Sequence, residues 1–99
     1  MIGENVPGYE TNDELSDRVK DLSKARQSLI EELQAIMWYD ERIDTTKDKE
    51  LRYVLNYNKN DEKEHATLLL EWLRKNDPEL NMRLQTILFS KKSLKEYKE

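Results

Sequence analysis

The residues of this chain whose types and spacing could do chemistry are Glu62 and His65, which stand three positions apart. On a helix, positions i and i+3 lie on one face, so the pair can offer an oxygen and a nitrogen to one ion. A neutral imidazole beside an ionised carboxylate suits iron, manganese or zinc. The spacing therefore indicates a divalent-metal site, although Glu-x-x-His also occurs in solvated Glu-rich helices such as the segment Asp61-Glu62-Lys63-Glu64-His65.

The position of the pair along its helix favours the metal interpretation. From residue 51 onward, positions spaced alternately four and three apart form one predicted heptad seam, which reads Leu51, Leu55, Asn58, Glu62, His65, Leu69 and Trp72. Glu62 and His65 stand on this seam where leucines would be expected. If both were buried there, they would have to be neutral, paired with each other or bound to a cation, because unpaired burial is costly.

A third residue, Glu32, interrupts the apolar face of the preceding helical segment. It lies between Leu29 and Ile36 on its own face. If two antiparallel helices are joined by a turn centred near residue 46 or 47, residue 32 is level with residue 61 or 62. Glu32 is therefore predicted to lie beside Glu62 and His65.

Two long helices and one short helix must position these side chains. Two glycines and two prolines leave few turns, and the remaining sequence is rich in helix-forming residues. A capping box at residues 11–14 predicts the start of the first helix, whose apolar repeat continues to Ile43. Polar residues 44–48 predict a turn, and the second helix is expected from about Asp48 to Lys75.

The end of the second helix is marked by Asn76-Asp77-Pro78, which predicts a stop, a cap and a proline at the first position of a third helix. That helix is expected to cover about residues 79–89. The predicted organisation is a leader at residues 1–11, a helical hairpin domain at residues 12–89 and a charged tail at residues 90–99. The expected fold class is all-α, with two long antiparallel helices and a short C-terminal helix.

Composition restricts the class of function. Only 36% of the residues are hydrophobic and 38% are charged, so slender helices that associate through apolar stripes are expected. The formal charge of -4 argues against a general nucleic-acid or anionic-membrane surface. Without cysteine, any metal must use carboxylate and imidazole. Neither a signal peptide nor a membrane-spanning apolar run is found, so an intracellular, soluble protein is expected.

One chain supplies half of the ligands that a two-metal centre needs. A di-iron four-helix bundle draws a Glu from each of two helices and a Glu-x-x-His from each of two more. The three candidate residues are half of that set, and the sequence contains no internal repeat that could provide the rest. A twofold dimer is therefore expected to complete the bundle and to place the metals on its symmetry axis.

Over about residues 23–89 the sequence resembles a known family, the encapsulated ferritins. The segments that carry the resemblance are Glu31-Glu32-Leu33, Trp38-Tyr39-Asp40, Glu62-Lys63-Glu64-His65 and Glu71-Trp72-Leu73-Arg74. The resemblance implies a two-helix protomer that dimerises to complete a ferritin-like four-helix bundle. It also implies a decameric ring of five dimers, which is cytoplasmic cargo inside an encapsulin shell nanocompartment.

By the same resemblance, Glu32, Glu62 and His65 are the metal ligands and catalytic residues of a ferroxidase. The implied reaction oxidises Fe(II) to Fe(III) with dioxygen at a di-iron centre shared between two chains, and passes the product to the shell for storage. Trp38 and Tyr39 are expected next to the site, where they orient ligands or transfer electrons, or are simply core and interface aromatics.

The resemblance also implies an acidic uptake patch for divalent cations, formed by Glu31 and the residue three positions later. This chain has Gln34 there, so a weaker or differently built patch is expected. Family members reach the shell through a C-terminal targeting peptide or by fusion to the shell protein. Residues 91–99 contain no apolar docking peptide, and residues 90–99 are therefore expected to be a charged, truncated tail or a linker to a targeting peptide or a fused shell domain.

Two other functions remain open from the sequence. The first is a metal-free helical dimerisation module, in which Glu62 and His65 form a buried pair across the interface. The second keeps the two-metal centre but uses it for peroxide reduction or oxygen carriage, as in other carboxylate-bridged helical proteins.

Overall fold

The computed structural model describes residues 14–97 and contains three α-helices, which we number in chain order. Helix α1 is Asp17–Thr45, α2 is Lys49–Asn76 and α3 is Pro78–Ile87; a short 3-10 helix, Leu94–Glu96, follows. Helices α1 and α2 pack against each other as an antiparallel hairpin, and α3 packs mainly against α2. The predicted all-α arrangement is confirmed. No helix in this part of the chain is long and apolar enough to span a membrane.

The start of α1 differs from the prediction. The helix begins at Asp17, because Ser16 caps it by accepting the backbone N–H of Val19 at 3.2 Å. Glu14 precedes the α-helix, so the predicted capping box does not start it. The other three residues of that box, residues 11–13, lie outside the described residues. The predicted leader, domain and tail boundaries stay predictions.

The predicted turn between the long helices is confirmed and is closed by polar contacts. Asp48 caps α2 by accepting the N–H of Leu51 at 2.9 Å. The Arg52 guanidinium donates to the carbonyl oxygens of Ile43 and Thr46 at 3.1 and 3.2 Å. These contacts satisfy carbonyl groups that the end of a helix leaves free, and so they fix where α1 stops.

Helices α1 and α2 contact each other through one series of residues on each helix, spaced alternately three and four positions apart. The least exposed apolar side chains are Leu22 and Ile43 of α1 and Ala66 and Leu73 of α2. We call the two series that contain them the inner seam: Leu22, Ala25, Leu29, Glu32, Ile36, Tyr39 and Ile43 on α1, and Leu55, Lys59, Glu62, Ala66, Leu69 and Leu73 on α2. Every member is buried or half-buried, as a heptad contact requires.

The predicted seam of α2 was therefore wrong in part. Leu55, Glu62 and Leu69 belong to the inner seam, but Leu51 and Trp72 are 48% and 39% exposed. Ala66 allows the helices to approach closely, and α2 is rotated so that the residues just before the inner seam face outward. We call this outward series the α2 flank: Leu51, Val54, Asn58, Asp61, His65, Leu68 and Trp72.

A second set of exposed apolar side chains lies on α1. We call it the α1 flank: Val19, Ile30, Leu33 and Met37, each more than two-fifths exposed. In sequence number, residues of the α1 flank come one position after the positions of the inner-seam series, whereas residues of the α2 flank come one position before them. Because the helices run in opposite directions, the two flanks lie on opposite sides of the hairpin. A shallow cleft beside Trp72, lined by Lys24 and Ser28, lies on the α2-flank side.

Helix α3 is fixed by Asp77, which ends the hairpin and begins the third helix. Its carboxylate accepts the N–H of Leu80 at 3.1 Å and pairs with the Arg26 guanidinium at 3.1 Å. Arg26, which interrupts the apolar repeat of α1, thereby ties α1 to α3. The helix stops before the predicted residue 89, because Leu88 is extended and Phe89 has a positive φ of 58°.

Candidate metal centre

The hairpin brings together Glu32 of α1 and the pair Glu62 and His65 of α2. The Nδ1 atom of His65 lies 3.6 Å from Oε2 of Glu32 and 3.5 Å from Oε2 of Glu62. One ligand atom from each of the three residues can be chosen so that all lie within 4.8 Å of one another. The prediction that Glu32 would be level with Glu62 is confirmed by this proximity.

The three residues occupy different positions around the contact between the helices. Glu32 and Glu62 lie on the inner seam, and their side chains are 25% and 24% exposed. His65 lies on the α2 flank with a side chain that is 51% exposed. Within the single chain, neither the two carboxylates nor the imidazole is fully buried. The group opens toward the side of the hairpin that carries the α2 flank.

Electrostatics in this group follow from two carboxyl groups placed close together. The neighbouring Glu62 carboxyl, to which a protonated Glu32 can donate a hydrogen bond, raises the pKa of Glu32 above its ordinary value of 4.5, and partial burial acts in the same direction. The neighbouring imidazole of His65 opposes this effect. Without a cation, Glu32 therefore holds its proton to a higher pH than an isolated glutamate does, because a second negative charge beside Glu62 is unfavourable.

The donor set fits a divalent cation. Two carboxylates and one imidazole are ligands that iron, manganese and zinc accept. The Oε2 atom of Glu32 is buried and receives no hydrogen bond within residues 14–97, so it is an acceptor that a cation could satisfy. No other group of three such residues among those that the structure describes is close enough to hold a metal ion. Glu32, Glu62 and His65 are thus the residues that would bind it.

The residues predicted for secondary roles lie outside this group. The Glu31 carboxylate is exposed and accepts a hydrogen bond from the Gln27 amide at 3.1 Å, and Gln34 is exposed. Trp38 is 47% exposed, and the half-buried Tyr39 ring lies 5.6 Å from the guanidinium carbon of Arg42. A direct role of these residues at the metal site stays a prediction.

Sequence reasoning missed one polar contact next to the group. Lys59, one turn before Glu62 on the inner seam, pairs with Asp40 of α1 at 2.9 Å. In the sequence, Asp40 is a charged residue between the apolar residues Met37 and Ile43. The signal that could have revealed the pair is the presence of two oppositely charged residues, Asp40 before the predicted turn and Lys59 after it.

The comparisons with known proteins cover most of the chain. The family described as EncFtn-like matches residues 8–91. A ferritin-like protein of Thermotoga maritima is 43% identical over 91 residues, which span 92% of this chain and 80% of that protein. An encapsulated ferritin-like protein of Rhodospirillum rubrum is 42% identical over 82 residues, which span 83% of this chain and 59% of that protein.

A solved structure agrees with the sequence comparisons. The crystal structure of protein ne0167 from Nitrosomonas europaea is 45% identical in sequence and superposes with a TM-score of 0.83, covering 88% of this chain and 97% of that chain. The hairpin is therefore found in a homologue of almost the same extent. Because the family match spans well over half of its residues, the chain belongs to the EncFtn-like family, the encapsulated ferritins.

Proposed function

We propose that this protein is a ferroxidase, which oxidises Fe(II) to Fe(III) with dioxygen at a di-iron site shared by two copies of the chain. The observation that carries the proposal is the convergence of Glu32, Glu62 and His65, whose ligand atoms come within 4.8 Å of one another. Iron is the substrate that these side chains would bind. Membership of the encapsulated ferritin family supports iron as the metal.

The number of ligands supports a site made from two chains. A di-iron four-helix bundle uses four glutamates and two histidines, whereas one hairpin offers two glutamates and one histidine. A second copy related by a twofold axis would provide the matching three residues, because an isologous contact pairs each surface with itself. The two sets of three residues would then face each other between the copies and would together hold two irons.

The surface around the group supports the same assembly. On the α2 flank, Leu51, Val54, Leu68 and Trp72 are between 39% and 65% exposed, and His65 lies among them. An exposed apolar heptad series of this kind normally packs against another helix. A second hairpin placed on the α2 flank would bury these side chains and would complete four helices around the metal ligands.

The α1 flank supports an assembly larger than the dimer. It lies on the opposite side of the hairpin, so the copy that covers the α2 flank leaves Ile30, Leu33 and Met37 exposed. If each flank makes its own twofold contact, dimers join through the second contact into a closed ring or a chain. The decameric ring of five dimers that the family resemblance implies is the closed case.

The protein side chains would contribute charge, orientation and proton release. Bridging carboxylates stabilise Fe(III) more than Fe(II), which favours loss of an electron from each iron to dioxygen. Because the pKa of Glu32 is raised, metal binding would displace a proton from this residue over a pH range that extends above that of an isolated glutamate. His65 provides a nitrogen ligand at the side where the partner chain would close the site.

The destination of the product is proposed from the family. A relative from Rhodospirillum rubrum is named an encapsulated ferritin-like protein, which supports residence inside an encapsulin shell in the cytoplasm. A dimer or an open ring encloses no volume for a mineral, so Fe(III) would be stored by the shell compartment. The encapsulin shell protein is therefore the proposed partner.

The deciding experiment adds Fe(II) without oxygen, counts the bound metal per chain, and then admits air while ferric absorbance is recorded. One iron per chain with rapid oxidation is expected. Absence of specific binding would contradict both metal-dependent functions and leave the dimerisation module. Turnover with peroxide but not with dioxygen would instead favour a di-iron peroxidase.

A further inference from the structure

We infer that Asp40 holds the Lys59 ammonium away from Glu62, so that the Glu62 carboxylate stays available to the cation. This inference rests on the proposed function, because it concerns the same site. It assigns Asp40 and Lys59 as positioning residues that act through Glu62. Neither residue is a metal ligand.

The contact that carries the inference joins the two long helices. Lys59 Nζ lies 2.9 Å from Oδ1 of Asp40, and the Lys59 side chain is only 17% exposed although lysine is normally solvated. Its ammonium is therefore placed by the ion pair. The Asp40 side chain is 60% exposed, so water reaches the outer side of the contact.

On its own helix, Lys59 has Glu62 as a neighbouring carboxylate. The two residues are three positions apart on α2, and both belong to the inner seam, so their side chains are neighbours on one helix face. No other acidic residue stands three or four positions from Lys59 in the sequence. A lysine has a flexible four-carbon stem and can therefore exchange one carboxylate for another.

Asp40 lies on the side of the hairpin away from His65, so its ion pair holds the Lys59 ammonium away from the metal group. Asp40 follows the inner seam of α1 by one position and lies on the side of the α1 flank, whereas His65 lies on the opposite side, on the α2 flank. Pairing with Asp40 thus draws Lys59 Nζ toward the side away from His65. An ammonium beside Glu62 would occupy an oxygen needed by the cation and would repel the cation itself.

The test measures Mn(II) binding to the assembled protein by calorimetry, which reports affinity without the oxidation reaction. Asp40→Asn removes the charge that holds Lys59. We expect it to weaken Mn(II) binding about fivefold, because the affinity change should correspond to the interaction energy of one partly buried ion pair. Asp40→Glu keeps the charge and should bind Mn(II) as the wild type does. The deficit of Asp40→Asn should shrink at high salt, since salt screens the competing Lys59–Glu62 attraction.

The double variant Asp40→Asn with Lys59→Met separates this role from a simple clamp between the helices. If Asp40 acts by holding the ammonium, removal of the ammonium restores Mn(II) affinity in the double variant, and Lys59→Met alone binds at least as tightly as the wild type. If the pair only clamps the helices, Lys59→Met alone weakens binding as much as Asp40→Asn does, and the double variant is not restored. That result would overturn the inference.

The proposed function and this inference can fail separately. Wild-type protein that binds no Mn(II) or Fe(II) would contradict the proposed function. Wild-type binding that is unchanged in Asp40→Asn would contradict only the role of Asp40. Circular dichroism and chromatographic size, measured for each variant, identify any loss of affinity that comes from unfolding or dissociation.

Discussion

His65 Nδ1 lies 3.6 Å from Oε2 of Glu32, although the two residues belong to different helices. The same nitrogen is 3.5 Å from Oε2 of Glu62, so one imidazole lies within reach of two carboxylates. This arrangement depends on the register of α1 against α2. A shift of one helical turn, about 5.4 Å, would remove Glu32 from the group.

Replacement of His65 by alanine should abolish metal binding and Fe(II) oxidation while the helices remain. The imidazole is half-exposed and contributes little to the core, so the far-ultraviolet circular dichroism spectrum should be unchanged. Glu64→Gln is the matched control, because Glu64 is an exposed neighbour that lies outside the metal group. Oxidation that survives His65→Ala, or that is lost equally in Glu64→Gln, would contradict the assigned ligand.

The raised pKa of Glu32 predicts how the metal-free protein responds to pH. Above pH 4.5 the unfolded chain has largely released the Glu32 proton, whereas the folded state releases it at a higher pH. The folded state therefore binds more protons, and the free energy of unfolding should fall as pH rises from about 4.5 through the folded pKa. Urea unfolding with a chelator present, at fixed protein concentration and several pH values, measures this trend.

Glu32→Gln identifies the origin of that pH dependence. The amide does not titrate and can donate to Glu62, so the decline in unfolding free energy over this pH range should become smaller. The variant should also release fewer protons when Mn(II) is added, which calorimetry in two buffers of different ionisation enthalpy can measure. An unchanged slope would show that another group causes the trend.

The α2 flank predicts a specific effect on association. Val54→Glu places a charge on the flank that is proposed to meet the second copy, so it should dissociate the dimer and reduce metal binding. Tyr53→Glu is the matched control, because Tyr53 is the adjacent residue in the sequence, lies outside the α2 flank and is 69% exposed. Sedimentation analysis and iron stoichiometry should separate the two variants; equal behaviour would contradict the proposed interface.

The lowered pKa of Asp77 predicts a second effect of pH on the free energy of unfolding, and this effect has the opposite sign. The backbone N–H of Leu80 holds the pKa of Asp77 below its ordinary value, and the Arg26 guanidinium acts in the same direction. The stabilisation from this carboxylate is present above the unfolded pKa and is lost as pH falls through the folded value.

Two substitutions separate the contributions of Asp77. Asp77→Asn keeps a capping oxygen but loses the ion pair, and Asp77→Ala loses both, so thermal midpoints at neutral pH should decrease in that order. If both variants have the wild-type midpoint, Asp77 does not stabilise the junction between α2 and α3.

Much of the fold follows from local signals in the sequence. Asp48 and Asp77 end polar stretches and cap the helices that follow, and Pro78 occupies a first helical turn where its missing N–H is tolerated. These signals act within a few residues, so they locate the turn and the second and third helices without knowledge of packing. The start of α1 was misplaced because residues 11–14 and Ser16 both offer capping side chains, and their sequence alone does not rank them.

The chemistry of the site was also visible in part. The single histidine three residues after Glu62, together with Glu32 at an equivalent distance from the turn, is sufficient to predict the three metal-binding candidates. Sequence spacing contains this information because helical rise and antiparallel pairing relate residue number to position along the hairpin.

Which face of α2 meets α1 was decided only by the tertiary structure. The two adjacent heptad series of α2 are both partly apolar, and they differ by one residue, or about 100° of rotation. Close packing at Ala66 selects the series with Glu62 and turns His65 outward. The sequence determined the helices and the three candidate ligands, whereas side-chain packing determined that this group opens on the α2 flank, the face that we propose meets a second copy.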